Sequence, residues 1–148
     1  MPTHSETRHV PYSAEEMYAL VADVANYPEF LPWTAAARIR DVIEEGDREI
    51  MLADLVITFK VFREKFGSRV TLWPEERRID TEYLDGPFKH MESTWRFKDA
   101  EGGGSTIDFH VDFEFRSRIL QTTATFFFND AMQRVVRAFE RRADVLYG

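Results

Sequence analysis

Histidine and carboxylate side chains at short spacing are the residues of this sequence that could bind a metal or move protons. His110 and Asp112 stand two residues apart on an alternating run, so both could reach one metal ion, but a third ligand is not evident. Both occupy the polar positions of that alternating run, on the face opposite its apolar residues, and we therefore expect His110 to point to solvent. His90 has the surroundings of a turn residue, and His4 and His9 lie in a terminal strand and carry no signal.

Glu64 is the acid best placed for a role inside the protein, because it shares the apolar parity of the run Phe62–Phe66. It either marks the open end of a strand or accepts a hydrogen bond from the polar head of a ligand. Three polar residues interrupt the inward apolar face: Ser68, Ser93 and Tyr83. Each could form a hydrogen bond with the head group of a ligand or with the neighbouring backbone. No serine stands in a nucleophile-elbow motif and there is no cysteine, so no catalytic constellation is predicted.

The elements that must position these side chains begin with a strand over His4–Val10. Ser13 and Glu16 have the spacing of a capping box, and apolar residues at helical intervals predict a helix that runs to about Val24. Two prolines in the segment Tyr27–Trp33, called the hook below, forbid a long helix there and predict a short helical turn.

From Ala35 to Arg116 the apolar residues recur at every second position, and turn signals separate the runs. This pattern predicts about six antiparallel strands with one apolar and one polar face, in addition to the terminal strand. Gly102–Gly104 leads into a strand rather than a helix, so we interpret it as a hairpin loop and not as a phosphate-binding loop.

The segment Arg118–Tyr147 contains neither proline nor glycine and carries an apolar stripe, so it predicts one long helix that lies across the apolar face of the sheet. The predicted fold class is α+β: a curved antiparallel sheet of about seven strands wrapped on this helix, with two short helices after the first strand. A ligand cavity is expected between sheet and helix. Its expected lining residues are Phe66, Val70, Tyr83, Met91, Trp95, Phe97, Ile107, Phe109, Val111, Phe113, Phe128, Met132, Val135, Val136 and Phe139.

Three adjacent aromatic residues, Phe126–Phe128, span about 200° of a helix, so at least one ring must face away from the sheet. The aromatic hook either packs over the end of the sheet, closes the cavity as a lid, or touches a membrane. The expected entrance or lid residues are Tyr27, Phe30, Leu31, Pro32, Trp33, Gly86, Pro87 and Phe88. The arginines at the end of the long helix suit either the helix dipole or an anionic lipid: Arg134, Arg137, Arg141 and Arg142.

The 148 residues suffice for a single domain over residues 1–148 with one sizeable core. The net charge of −7 argues against broad nucleic-acid binding, so DNA is not an expected partner. Thirteen phenylalanines, five tyrosines and three tryptophans supply ring surface that either fills a large core or encloses something apolar. There is no apolar run of membrane-spanning length and no signal sequence in Met1–Tyr12, so we expect a cytoplasmic protein.

Several motifs resemble those of the coenzyme Q-binding family, within the START-like, polyketide-cyclase-type superfamily. They are Tyr27–Trp33, Leu84–Met91 with the following Trp95–Phe97, and the closing segment Ala138–Gly148. The Asp-Gly-Pro-Phe-Lys-His segment with its downstream tryptophan is the most specific of them, and the resemblance covers essentially the whole chain.

The resemblance implies a helix-grip fold with an apolar tunnel, ubiquinone as the bound ligand, and no required cofactor. It also implies a lipid chaperone, not an enzyme, that supports respiratory electron transport or quinone biosynthesis from a peripheral, transient position at the inner membrane. A related bacterial branch of ribosome-associating toxins shares the motifs, so blocking of subunit joining, with a ribosomal subunit as partner, is an alternative. An aromatic polyketide cyclase-like enzyme is a second alternative.

Overall fold

The computed structural model describes residues 3–59, 62–85 and 88–148, without the side chains of residues 59, 62, 85, 124, 125 and 127. Gly86 and Pro87, two expected entrance residues, lie outside the described residues. The elements are β1 (Thr3–Val10), α1 (Ala14–Ala22), a 3-10 helix (Val24–Glu29), β2 (Thr34–Glu45), β3 (Arg48–Phe59), β4 (Phe62–Trp73), β5 (Arg78–Asp85), β6 (Phe88–Asp99), β7 (Ser105–Phe115) and α2 (Arg118–Tyr147).

All seven strands form one antiparallel sheet in the order β1-β7-β6-β5-β4-β3-β2. The first strand therefore pairs with the last, which closes the chain back on itself before α2 begins. The predicted α+β class, the strand number and the long C-terminal helix are confirmed. Gly102–Gly104 lies in the turn between β6 and β7 with positive φ angles, as expected for a hairpin loop.

The antiparallel register gives the sheet two ends of different composition. The proximal end, as we call it, holds the β3–β4 and β5–β6 connections and the junction at which β7 passes into α2. The distal end holds the β2–β3, β4–β5 and β6–β7 turns. The helix α2 starts at the proximal end and runs back across the sheet to the distal end, where the Tyr147 hydroxyl donates a hydrogen bond to the Glu16 carbonyl.

The predicted capping box starts α1: the Glu16 amide donates to Ser13 Oγ at 3.1 Å, and the Ser13 amide donates to Glu16 Oε1 at 3.0 Å. The helix ends at Ala22, two residues before the predicted end near Val24. Asp23 leaves the helical region (φ −84°, ψ 65°) and accepts a hydrogen bond from the Asn26 side chain, a local bond that competes with the helix. A 3-10 helix follows and contains Pro28.

The two halves of α2 differ in how tightly they pack. Val136, Ala138, Phe139 and Ala143 in the C-terminal half are buried. In the N-terminal half, up to Val135, no side chain that the structure describes reaches that level of burial. Over the described ranges, no helix is both long enough and apolar enough to cross a membrane.

Candidate functional site

The inner face of the sheet carries two groups of apolar side chains. The first, the Trp95 cluster, lies toward the distal end beneath the C-terminal half of α2. The ring of Trp95 stands 4.2 Å from that of Phe109 and 5.2 Å from that of Phe139, measured between centroids. Its buried members include these expected cavity residues: Val70, Trp95, Phe97, Ile107, Phe109, Val111, Val136 and Phe139. They pack as a core.

The second group, the Phe88 cluster, lies at the proximal end. Its buried members are Phe66, Phe88 and Phe113, and its partly buried members are Ile57, Tyr83, Met91, Phe115 and Phe128. Phe88, one of the expected entrance or lid residues, belongs to this cluster. Phe88 is the first residue of β6 and only 8% exposed, because four rings pack around it. Phe88 is therefore part of the packed inner face of the sheet.

Above the Phe88 cluster, α2 covers the sheet incompletely. Phe128 faces inward, with its ring 4.1 Å from that of Phe113, yet it is only partly buried, as are Met132 and Val135 on the same stripe. On the sheet side, Ile57 and Met91 are also partly buried although they face the helix. Beside the contact between Phe128 and Phe113, these partly exposed side chains form an open apolar surface between α2 and the sheet, which we call the gap. We take this gap as the candidate site.

Polar side chains cross the inner face beside the gap. Register places Thr81 of β5 directly opposite Ser93 of β6, and both are partly exposed. Ser68 is buried and lies opposite Tyr83. Sequence reasoning missed Thr81, although its pairing with Ser93 puts it on the inner face. Hydroxyl groups at these positions can donate to or accept from a polar ligand group.

Glu64 lies near the proximal start of β4 and is exposed, which corresponds to the open strand end that the sequence allowed. Among the residues that the structure describes, none encloses Glu64 in the dry pocket that a general acid needs.

Polar side chains of β1, the strand at the edge of the sheet, form hydrogen bonds with α2. The interpretation that His4 carries no signal is wrong, because His4 is buried. Its ring nitrogens stand 3.1 Å from Asn129 Oδ1 and from Glu6 Oε2. Four residues further along the same face of β1, Arg8 donates two hydrogen bonds of 2.7 and 2.8 Å to the Glu140 carboxylate, and these bonds raise the pKa of the Arg8 guanidinium. These contacts bring the two elements together from opposite ends of the chain.

The hook packs against the C-terminal half of α2. The rings of Tyr27 and Phe30 lie 5.4 and 5.3 Å from that of Phe139. The Tyr27 hydroxyl donates to the Val21 carbonyl, and burial raises the pKa of Tyr27. Arg142 lies over the Phe30 ring and pairs with Glu29 at 3.1 Å.

The other hook residues are partly buried. Leu31 packs against the Trp95 cluster, and Pro32 leads to Trp33, whose φ of 63° turns the chain into β2. Tyr27, Phe30 and Leu31 therefore make packing contacts, to α2 and to the Trp95 cluster, and the lid and membrane interpretations of the hook stay predictions.

The outer face of the sheet carries a shallow polar concavity of about 360 Å³ over β1, β6 and β7. His110 is exposed there, as predicted, with Nδ1 2.5 Å from Ser5 Oγ and Nε2 3.2 Å from Asp112 Oδ2. Within the described part of the chain, no group of three histidine or carboxylate side chains could hold a metal ion.

Comparison with known proteins finds relatives that cover essentially the whole chain. A ribosome association toxin RatA of Rickettsia prowazekii is 36% identical over 146 residues, which are 97% of each chain. The mitochondrial coenzyme Q-binding protein COQ10 homolog B of Xenopus laevis is 32% identical over 98% of this chain and 59% of its own length. The solution structure of the 18 kDa protein CC1736 from Caulobacter crescentus is 33% identical, with a TM-score of 0.83 over 100% of this chain and 99% of that one. Residues 10–140 match the family described as polyketide cyclase / dehydrase and lipid transport, and the chain belongs to that family.

Proposed function

We propose that this protein binds a polyprenyl quinone in the gap between the N-terminal half of α2 and the inner face of the sheet, and acts as a carrier for it. The observation that carries the proposal is the incomplete covering of the Phe88 cluster, where inward-facing apolar side chains remain partly exposed on both sides of the gap. Exposed apolar surface of this kind is unfavourable in water, and an apolar ligand would cover it.

The chemistry of the gap suits a ligand with a long apolar part and a small polar head. Phenylalanine and methionine side chains offer adaptable apolar surface, and Ser93 and Thr81 offer hydroxyl donors to a quinone carbonyl. The coenzyme Q-binding relative supports the choice of a quinone. A carrier needs no acid–base pair in the gap, and the exposed position of Glu64 agrees with that.

The decisive experiment fills the gap from the sheet side. Ser93→Trp places an indole ring on the inner face, whereas Thr94→Trp places the same ring next to it on the outer face, beside the polar concavity. Each variant is incubated with vesicles that contain ubiquinone, and the quinone recovered with the protein is extracted and quantified. We expect Ser93→Trp to fold and to take up little quinone, and Thr94→Trp to take up as much as the unaltered protein.

The stability of Ser93→Trp provides a second readout. A large residue forced into a filled core destabilises a protein by roughly 1–3 kcal/mol, whereas a residue that enters open space does not. Uptake by Ser93→Trp equal to that of Thr94→Trp would contradict the proposed location.

Association with a ribosomal subunit is the second candidate function. It is favoured by relatives named ribosome association toxin, which are 32–36% identical over 97–100% of this chain. Co-sedimentation with purified ribosomal subunits tests it. Retention that decreases steeply with salt, as contacts to phosphates require, would support this candidate.

A further inference from the structure

The two ends of the sheet carry opposite charge. Exposed acids crowd the distal turns: Glu44, Glu45, Asp47, Glu75, Glu76, Asp99 and Glu101. Three distal arginines are paired with acids there, in Arg48–Glu45, Arg77–Asp99 and Arg78–Glu76. At the proximal end, the exposed charged side chains that the structure describes are mainly cations: Arg63, Lys65, Lys89, Arg116 and Arg118, beside Glu64. A chain of net charge −7 thus presents one basic end.

The same end presents an apolar helix surface. Ile119 is 79% exposed and Phe126 is 80% exposed. They stand seven residues apart and so share one face of α2, opposite the face from which Phe128 contacts the sheet. No charged residue occurs from Ile119 to Asn129.

Two threonines between these residues extend the apolar surface. The Thr122 hydroxyl donates to the Arg118 carbonyl at 2.9 Å, and the Thr123 hydroxyl donates to the Ile119 carbonyl at 3.0 Å. Because both hydroxyls are satisfied within the helix, their methyl groups add to the surface beside Ile119 and Phe126.

We propose that this docking surface, made of Ile119, Thr122, Thr123 and Phe126 with the proximal cations Lys89, Arg116 and Arg118, binds a lipid bilayer that contains anionic lipid. The cations match the negative head groups, and the apolar residues match the acyl boundary just beneath them. RNA would satisfy the cations through its phosphates, and an unpaired base could stack on Phe126, but RNA offers no apolar partner for Ile119 and the two threonine methyl groups, so a bilayer is the better match.

The docking surface lies close to the proposed ligand site, so it indicates how a ligand reaches that site. This part of the inference rests on the proposed function. The N-terminal half of α2 both carries the docking surface and covers the gap above the Phe88 cluster. Docking would therefore bring the incompletely covered gap next to the bilayer, where an apolar ligand could pass without crossing water. The arginines near the other end of α2 lie outside this surface, since Arg141 is about 33 Å along the helix from Ile119.

Quinone-free vesicles test the proposal separately from ligand binding. The full-length protein is sedimented with vesicles of phosphatidylcholine alone or with about one third phosphatidylglycerol, at low and at physiological salt. The apolar variant is Ile119→Gln with Phe126→Gln, and its matched control is Val145→Gln, which alters an exposed residue (73%) at the distal end of α2. The charge variant is Arg118→Glu with Lys89→Glu, and its control is Arg141→Glu. All of these side chains are exposed, and circular dichroism verifies that each variant folds.

We expect binding only to the vesicles with anionic lipid, about tenfold weaker for both double variants and unchanged for both controls. Quinone binding in detergent should stay unchanged in all variants, so failure of the docking surface and failure of the ligand site are distinguishable. The proposal is overturned if the protein does not bind anionic vesicles at low salt, or if the controls lose as much binding as the double variants. It is also overturned if ribosomal subunits, rather than vesicles, retain the protein and release the same double variants.

Discussion

Replacing Phe88 by alanine removes the central ring of the proximal aromatic cluster. The Phe88 ring stands 4.7 Å from that of Phe115, 5.0 Å from Phe66, 5.6 Å from Tyr83 and 6.0 Å from Phe113. Truncating a buried phenylalanine destabilises a protein by about 3–5 kcal/mol, through lost transfer free energy and the cavity that remains. Because the neighbouring gap lets the surroundings relax, we expect a value near the lower limit, about 3 kcal/mol.

Urea unfolding followed by circular dichroism measures this loss. For a chain of this size, about 3 kcal/mol corresponds to a decrease of roughly 10 °C in the midpoint of thermal unfolding. The matched control is Phe126→Ala, which removes the same ring from a position that is 80% exposed and should change the unfolding free energy by less than about 0.5 kcal/mol.

The comparison of the two variants tests directly whether Phe88 belongs to the packed cluster and Phe126 lies on the surface. If Phe88→Ala unfolds within about 1 kcal/mol of the unaltered protein, the ring does not hold the cluster together. If Phe126→Ala is the more destabilising variant, the orientation of the N-terminal half of α2 is wrong.

Three further predictions concern the elements around the site. Arg8→Met should lower the unfolding free energy by about 2 kcal/mol because it breaks two charge-assisted hydrogen bonds, whereas Arg48→Met, at an exposed pair, should lower it by less than about 1 kcal/mol in the same urea titration. Ser13→Ala should remove about 1 kcal/mol with the cap of α1, and Ser13→Thr should restore most of it. Burial raises the pKa of Tyr27, so its unfolded-state hydroxyl ionises first and stability should fall above about pH 10, by up to about 1.4 kcal/mol per pH unit. Tyr27→Phe should reduce that slope while leaving the slope below pH 9 unchanged, and an unaltered alkaline slope would contradict the assignment.

Local patterns in the sequence predict the architecture because they record local physics. The alternation of residues 107–115 reports a strand with one buried face, and the absence of proline and glycine from Arg118 to Tyr147 reports an uninterrupted helix. Ser13 and Glu16 specify the start of α1 by their spacing alone. The end of α1 was less predictable, because one bond between Asp23 and Asn26 decides it.

The features that sequence reasoning missed depend on contacts between distant residues. His4, Glu6 and Arg8 alternate with polar neighbours, so their strand has no apolar face to reveal which side is buried. That face is covered by residues more than 100 residues away along the chain, among them Asn129, Glu140 and the rings of Phe109 and Phe128. Phe88 follows a turn motif, and its burial appears only when four rings from other strands and from its own hairpin surround it.

The charge separation between the two ends could have been read from the sequence once the strand order was known. Alternate turns of an antiparallel sheet lie at the same end, so the acidic β2–β3, β4–β5 and β6–β7 turns must gather away from Lys89 and Arg118. The exposure of Phe126 was foreseen in part, since three adjacent rings could not all face the sheet.

Native mass spectrometry of the protein purified from its own host, combined with organic extraction, tests the central claim most directly. The account predicts a co-purifying polyprenyl quinone, at up to one molecule per chain, or uptake to that level from vesicles that contain ubiquinone. Ser93→Trp should abolish the bound species and Thr94→Trp should retain it. A protein that is free of lipid, takes up no quinone from vesicles and instead sediments with ribosomal subunits would contradict the account.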